Sequence, residues 1–326
     1  MKASNTSSNN KKVTIICNPF AGRGLATKMA KQAEAFANTQ NWKVLSNVES
    51  QYAGHIENEL VSQLDSNLDL IILIGGDGTL RELIAGLRKN KTQIDIGFIP
   101  MGNANVVARE LEIPLTPSLA LQMLQSSRTV AIDIGTLEMT ANTSLNEDSK
   151  QHIFLAMLEI GLGAQIVHLV NTLRLGKLKR LYQIWGDLVY AIAGVLAFTQ
   201  KNPPIIGVEN KRLTENSRHI IISNMRTYAK GWALTPKANC QDGLLDLAVN
   251  KKGSRLSTLA TFISAAQRRK SPETRMRYIQ ATEFSLKGSS KAFMQVDGDP
   301  ILFQGNATVK IEPKAFQIHV PLKPKY

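Results

Sequence analysis

An α/β N-terminal domain built on a parallel sheet, followed by a β-rich antiparallel sandwich, is the architecture this sequence predicts. Three observations carry it. Apolar strand-length runs alternate with helical patterns over roughly the first 134 residues. From about Asp133 onward, short β-rich runs separated by turn signals take over. The glycine clusters Gly22/Gly24, Gly75/Gly76/Gly78 and Gly102 each follow a predicted strand, which gathers them at the carboxyl edge of a parallel sheet, where such domains bind ligands.

In chain order, residues 13–18 read as a strand, and Ala26, Met29, Ala30, Ala33 and Ala37 then recur at helical spacing. Residues 42–47 form a second strand, followed by a helix through Ile56 and Leu60. Residues 70–74 and 94–99 are the third and fourth strands. The later strands are expected over 154–160, 205–208, 219–223, 244–249, 282–286, 292–296 and 308–311, with turns at Asp242-Gly243 and Gly298-Asp299-Pro300. Two helical insertions, 165–200 and 255–269, interrupt them. The domains are therefore expected at 13–134 and 135–326 with a cleft between them, after a disordered tail at 1–12. The last segment is placed so that it can pack back on the first domain.

Composition narrows the class. The hydrophobic fraction of 43% and charged fraction of 20% are those of a soluble globular protein. A formal charge of +13, from 39 Lys+Arg against 26 Asp+Glu, calls for an anionic partner. Aromatics make up 6% of the chain and form no base-stacking platform, so nucleic acid is not expected. Cys17 and Cys240 lie far apart, and Cys17 falls in an apolar strand as a core thiol. No Cys/His spacing suggests zinc. The longest apolar stretch, 188–198, is too short to span a bilayer, and the polar start lacks the apolar core of a signal peptide. A reducing, cytoplasmic setting is the expectation.

The chemistry concentrates in five loops. Gly75-Gly76-Asp77-Gly78-Thr79 follows the third strand, and its glycines let a polyphosphate approach backbone N–H groups at a helix N-terminus. The helix is expected to begin at Thr79, with Thr79-Leu80-Arg81-Glu82 as a capping box. The Asp77 carboxylate beside phosphate calls for a divalent cation between them. Taken alone, the loop also fits an ordinary glycine-rich strand-to-helix turn. Asn18-Pro19-Phe20-Ala21-Gly22-Arg23-Gly24 offers a second phosphate or sugar contact, without the lysine of a P-loop. In Pro100-Met101-Gly102-Asn103-Ala104-Asn105, the two asparagines offer amides to a nucleotide, although spacing favours helix capping. Asp242-Gly243 reads as a hairpin turn. Asp297-Gly298-Asp299 reads either as a polar hairpin tip or as paired carboxylates able to take a proton.

Together, Asn-Pro-x-x-Gly after a strand, then GGDGT, then Pro-x-Gly-x-x-Asn resemble the diacylglycerol kinase catalytic domain family, which includes bacterial lipid kinases and the sphingosine and ceramide kinases. Gly161-Leu162-Gly163, Asp242-Gly243-Leu244-Leu245-Asp246 and Asp297-Gly298-Asp299 follow in the family's order. GGDGT is shared with NAD kinases and phosphofructokinases, and the later motifs discriminate. The resemblance implies an NAD kinase/phosphofructokinase-like N-terminal domain and a β-rich lipid-substrate domain. It implies ATP and Mg2+ as cofactors, with nucleotide contacts at Asn18, Pro19, Gly22, Ser50, Gly75, Gly76, Asp77, Gly78, Thr79, Asn103 and Asn105. Asp77 would join a magnesium–water network at the γ-phosphate. Asn239 and Leu244 carbonyls with the Asp242 carboxylate would hold a structural magnesium. Asp297, Asp299 and Asp77 would form the catalytic set. The chain departs from the family pattern at Asp299 (usually glutamate), at Asn103 (a hydroxyl residue) and at Val106 (often aspartate).

The leading expectation is thus a lipid kinase that phosphorylates a hydroxyl of diacylglycerol or a similar lipid, peripheral at the inner, anionic membrane face. Lys177, Lys179 and Arg180 within an apolar segment, and Arg268-Arg269-Lys270 with Arg275 and Arg277, would face that surface. A soluble-substrate kinase of the NAD kinase type and a non-catalytic nucleotide- or lipid-binding homologue are the alternatives. A homodimer is compatible with either.

Overall fold

The computed structural model describes residues 10–140, 151–175, 189, 192–197, 199–211, 213–228, 232–250, 254–267 and 275–322. Residues 1–9 of the expected tail, Lys177, Lys179, Arg180 and Arg268-Arg269-Lys270 lie outside them. The chain forms two compact units, Met1–Ile132 with Lys314–Tyr326, and Asp133–Pro313.

In the first unit, β1 (Lys12–Cys17), β2 (Lys43–Glu49), β3 (Leu70–Gly75) and β4 (Asp95–Pro100) run parallel in the order β2-β1-β3-β4. Gln317 and Ile318 add a parallel pairing to Asp95 and Ile96 on the far side of β4. All of β3 is buried, which is why it reads as an unbroken apolar run rather than an alternating one. Each Ile or Leu so buried contributes roughly 1.5–3 kcal/mol. Helix α1 (Ala26–Thr39) buries Ala26, Met29, Ala30, Ala33 and Ala37, the stripe seen in the sequence. Helix α2 (Asp77–Lys89) buries Leu80, Leu83, Ile84 and Leu87. Two short helices, α3 (Val106–Glu110) and α4 (Pro117–Met123), complete the unit.

One expectation here needs correction. The segment through Ile56 and Leu60 is not an α-helix but a π turn, Ile56–Leu60, running into a 3-10 turn, Val61–Gln63. The Glu82 side chain of α2 accepts the Ile56 N–H (2.9 Å), so contact with α2 fixes where this turn starts.

In the second unit, β5 (Ser127–Thr140) enters at Asp133 and pairs with β6 (Gln151–Phe154). Next come β7 (Met157–Ile160), α5 (Leu162–Leu175), β8 (Ile206–Asn210), β9 (Leu213–Ser217), β10 (Ile220–Ser223), β11 (Thr227–Tyr228), β12 (Trp232–Ala233) and β13 (Leu245–Asn250). Helix α6 (Arg255–Ala266), β14 (Met276–Ala281), β15 (Glu283–Val296) and β16 (Asp299–Pro321) follow. The pairings are antiparallel: β14-β13-β10-β7 continues onto the end of β15, whose start pairs with β8. The sandwich core includes Phe154, Leu158, Ile222, Leu247, Phe284 and Phe303.

The fold class is the one expected, an α/β parallel sheet and an antiparallel sandwich, but strand boundaries shift. The single run expected at 154–160 breaks at Leu155-Ala156, and those at 282–286 and 292–296 merge into β15, which is irregular between Gly288 and Ala292. The run at 308–311 lies inside the much longer β16. Strands β5, β9 and β14 carried too much polar or mixed sequence to stand out. Both cysteines are buried thiols outside any disulfide. Burial, reinforced by Glu49, pushes the Cys17 thiol up to about 12, as suits a core thiol. No helix among the described residues is long and apolar enough to cross a membrane.

His319 gives the first unit a pH dependence. Its ring is buried, Nδ1 lies 2.8 Å from the Ser127 hydroxyl, and burial with help from Lys11 lowers its pKa from 6.5 to about 4. A histidine depressed in the fold binds protons more readily when unfolded, so acidification from pH 6.5 to about 4 costs stability. Urea titrations across this range are expected to show a falling midpoint, and His319→Gln to flatten the fall.

Candidate functional site

The first unit builds an anion cradle from backbone. Strand β3 ends at Gly75, and α2 begins at Asp77 with Gly76 as its N-cap and no side chain capping it. The first turn of any helix leaves N–H groups without intrahelical partners, and the macrodipole places partial positive charge on them. Here those groups are the amides from Asp77 onward, at a loop where Gly78 is exposed. The helix therefore starts two residues before Thr79, and the expected capping box does not form. Thr79 instead accepts the Asn18 side-chain amide (3.2 Å), while Glu82 is committed to Ile56.

Two neighbouring loops close around this one. Met101 N–H donates to the Gly75 carbonyl (2.7 Å), and Gly22 N–H donates to the Met101 carbonyl (2.9 Å). Gly76 and Gly102 meet back to back: a Cβ on Gly102 would lie 2.8 Å from the Gly76 Cα and 2.8 Å from the Asn105 Oδ1. No side chain fits there. Asn105, left-handed at φ 49°, accepts the Gly102 N–H and donates to the Gly102 carbonyl, both at 2.9 Å. It occupies the N-cap position of α3 but does not cap it. Asp77 does: its carboxylate oxygens accept the Val106 and Val107 N–H groups, each at 3.0 Å. Burial pushes the Asp77 carboxyl up, and these amide bonds pull it back. Asn103 stands exposed at the turn.

Beside Asn18 lies a cavity of about 580 Å³ lined by Pro19, Phe20, Val48, Glu49, Ser50, Gln51, His55, Leu60 and Gln63. That volume falls in the range of small-molecule sites. Ser50 is buried there, its N–H bonded to the Cys17 carbonyl (2.8 Å). Phe20 is 80% exposed at the rim. Its amide is held by the Asn18 side chain (3.0 Å), an Asx turn that presents the ring outward. The Gln51 N–H donates to His55 Nδ1 (3.2 Å), and the Tyr52 and His55 rings lie 4.9 Å apart. The sequence pointed to Ser50 and Pro19. It did not reveal His55 and Gln51, which follow an unremarkable strand end.

The second unit holds the remaining candidates. Asp297 and Gly298, at φ 49° and 89°, form the tight turn between β15 and β16, where Val296 pairs with Asp299. The Asp297 carboxylate accepts the N–H groups of Leu155 (2.7 Å), Ala156 (2.9 Å) and Met157 (2.9 Å). Asp299 is exposed. The Asp242 loop is a closed turn: Asp242 N–H donates to the Asn239 carbonyl (3.3 Å), and the Asp242 carboxylate accepts the Leu244 N–H (2.9 Å). Asp133, which sequence reading passed over, is buried beneath this loop and accepts the Gly243 N–H (2.7 Å). A lone acid inside the run Val130-Ala131-Ile132-Asp133-Ile134 was the available signal. Gly161-Leu162-Gly163 also has a visible partner, for the Leu162 N–H at the start of α5 donates to His219 Nδ1 (3.0 Å).

For a magnesium ion, the 239–244 loop supplies a carboxylate and backbone carbonyls, an all-oxygen set of the kind hard cations take with water completing the shell. Among the described residues no cluster of three or more His, Cys, Asp or Glu could hold a metal, so any such site relies on carbonyl and water oxygens.

Residues 12–137 match the family model for the diacylglycerol kinase catalytic domain, and residues 156–320 match the YegS C-terminal NAD kinase beta sandwich-like domain. The chain belongs to the diacylglycerol kinase catalytic domain family. A diacylglycerol kinase of Staphylococcus saprophyticus is 25% identical over 293 residues, 89% of each chain. A Pseudomonas aeruginosa protein named "Probable lipid kinase YegS-like" is 26% identical, over 76% of this chain and 75% of its own. The crystal structure of a diacylglycerol kinase from Bacillus anthracis shares the fold at a TM-score of 0.67, with 16% identity, covering 96% of this chain and 97% of that one. Yeast NADH kinase aligns with a TM-score of 0.51 at 12% identity over 99% of this chain and 89% of its own. Membership of this family supports a lipid kinase, and kinase chemistry implies ATP.

The packing of Gly76 on Gly102 yields a test. Gly102→Ala forces these loops apart, and nucleotide affinity measured by titration calorimetry is expected to fall by about tenfold or more, about 1.4 kcal/mol or more, with a lowered melting temperature. Unchanged affinity would show that the 101–105 loop does not shape the cradle.

Proposed function

We propose that this protein is an ATP- and magnesium-dependent lipid kinase that transfers the γ-phosphoryl group to a hydroxyl of diacylglycerol or a similar membrane lipid. The observation that carries the reading is the uncapped N-terminus of α2, with Gly76 packed on Gly102 and backbone donors left for phosphate. The adjoining cavity, with Ser50 and Phe20, suits the nucleoside. Phosphoryl transfer asks little covalent chemistry of the protein: positioning and charge neutralisation dominate.

In this scheme each acid has a separate task. Asp77 fixes the 106–107 amides and, through its remaining lone pairs, can hold a metal-bound water. Bound magnesium would neutralise charge developing on the phosphates. Asp242, with the Asn239 and Leu244 carbonyls, would hold a second, structural ion. Asp297 is committed to three backbone amides and acts as the positioning residue of its turn. Asp299, exposed on the same turn, takes the proton from the lipid hydroxyl.

Labelled ATP, magnesium and a panel of lipids test the reading directly, with a lipid phosphate as the expected product. Asp299→Asn should lower kcat by about 100-fold or more with normal folding. Asp297→Asn should instead lower stability by about 2 kcal/mol, because charge-assisted bonds to buried amides are lost. The absence of product with every lipid sinks the kinase reading, and full activity in Asp299→Asn sinks that residue's role as base.

A further inference from the structure

Helix α6 (Arg255–Ala266) is amphipathic in the wrong sense for a soluble surface helix. Its polar residues Ser257, Thr258 and Thr261 are buried, at 8%, 6% and 4% exposure. Its apolar residues Leu256, Leu259 and Ile263 face out, at 74%, 37% and 49%. The spacing i, i+3, i+7 puts those three on one stripe. Packing fixes this rotation. The buried Asn250 at the end of β13 donates to Thr258 Oγ1 (2.8 Å) and accepts from Ser257 Oγ (3.2 Å), and Thr261 Oγ1 donates back to the Ser257 carbonyl (3.0 Å). Rolling the helix to hide its leucines would strip these buried groups of their hydrogen bonds. The outer apolar face is therefore built in.

We infer that this face of α6 docks on an anionic lipid bilayer, with Leu256, Leu259 and Ile263 entering the headgroup–acyl boundary. Charge selects this occupant. From Lys251 to Lys270 the sequence carries six Lys or Arg and no Asp or Glu, within a chain of net charge +13. A twelve-residue helix is about 18 Å long, too short to cross a bilayer and well suited to lie in its interface. In the same unit, segment 192–197 also exposes Ile192, Val195 and Leu196. The inference deepens the proposed function, since it rests on the substrate being a membrane lipid.

The test compares the intact protein with the variant Leu256→Ser/Leu259→Ser/Ile263→Ser in co-sedimentation with phosphatidylcholine vesicles with or without phosphatidylglycerol, at low and high salt. The wild type should partition onto the anionic vesicles, more weakly in high salt. The variant should partition at least about tenfold less while melting at the same temperature. Ile263→Trp should show a blue-shifted emission on adding anionic vesicles. Lipid phosphorylation on vesicles should fall in the triple variant, but not on a short-chain diacylglycerol below its micelle concentration. Equal partitioning of variant and wild type, or no wild-type partitioning, overturns the inference. So does a dimer, seen by analytical ultracentrifugation, that the variant abolishes while vesicle binding is retained; that result assigns the face to a second copy. Wild-type vesicle binding through α6 without any lipid phosphorylation leaves the docking face standing and removes the kinase reading.

Discussion

The candidate nucleotide site depends on one half-buried carboxylate. Asp77 stands at the first position of α2 and reaches across to the Val106 and Val107 amides, tying the loop after β3 to the loop after β4. Its desolvation outweighs, and is only partly offset by, those amide bonds, so its carboxyl lies above the ordinary carboxylate range. With that clasp closed, Gly102 lies against Gly76, Asn105 is locked on Gly102, and no side chain caps the start of α2. Phosphate binding by backbone needs this kind of preset geometry, because flexible loops would lose the ordering entropy on each binding event.

The same device recurs in the second unit. Asp297 gathers the amides of Leu155, Ala156 and Met157, and Asp133 holds Gly243. These acids shape loops, whereas Asp299 and Asp242 are exposed.

The parallel sheet was legible because a strand buried on both faces must be continuously apolar, as in Leu70–Gly75. The helix of α1 was legible through its alanine stripe. What stayed hidden was set by distant partners. The start of α2 is hidden in the sequence because Gly76 caps by conformation and offers no side-chain signal, so Thr79 reads as the cap. The break between β6 and β7 is imposed by Asp297, far along the chain. Asn105 looked like a helix cap, and only the tertiary bond from Asp77 shows that the capping is done elsewhere. The outward face of α6 was equally unreadable, because Asn250 decides which side of that helix is inside.

Amide hydrogen exchange with and without magnesium-ATP tests the central claim most directly. Exchange at Gly76 to Thr79 should slow by about tenfold or more on nucleotide addition, with slowing also at Gly22 to Gly24. No change at these amides while ATP binds would contradict a phosphate cradle at the N-terminus of α2.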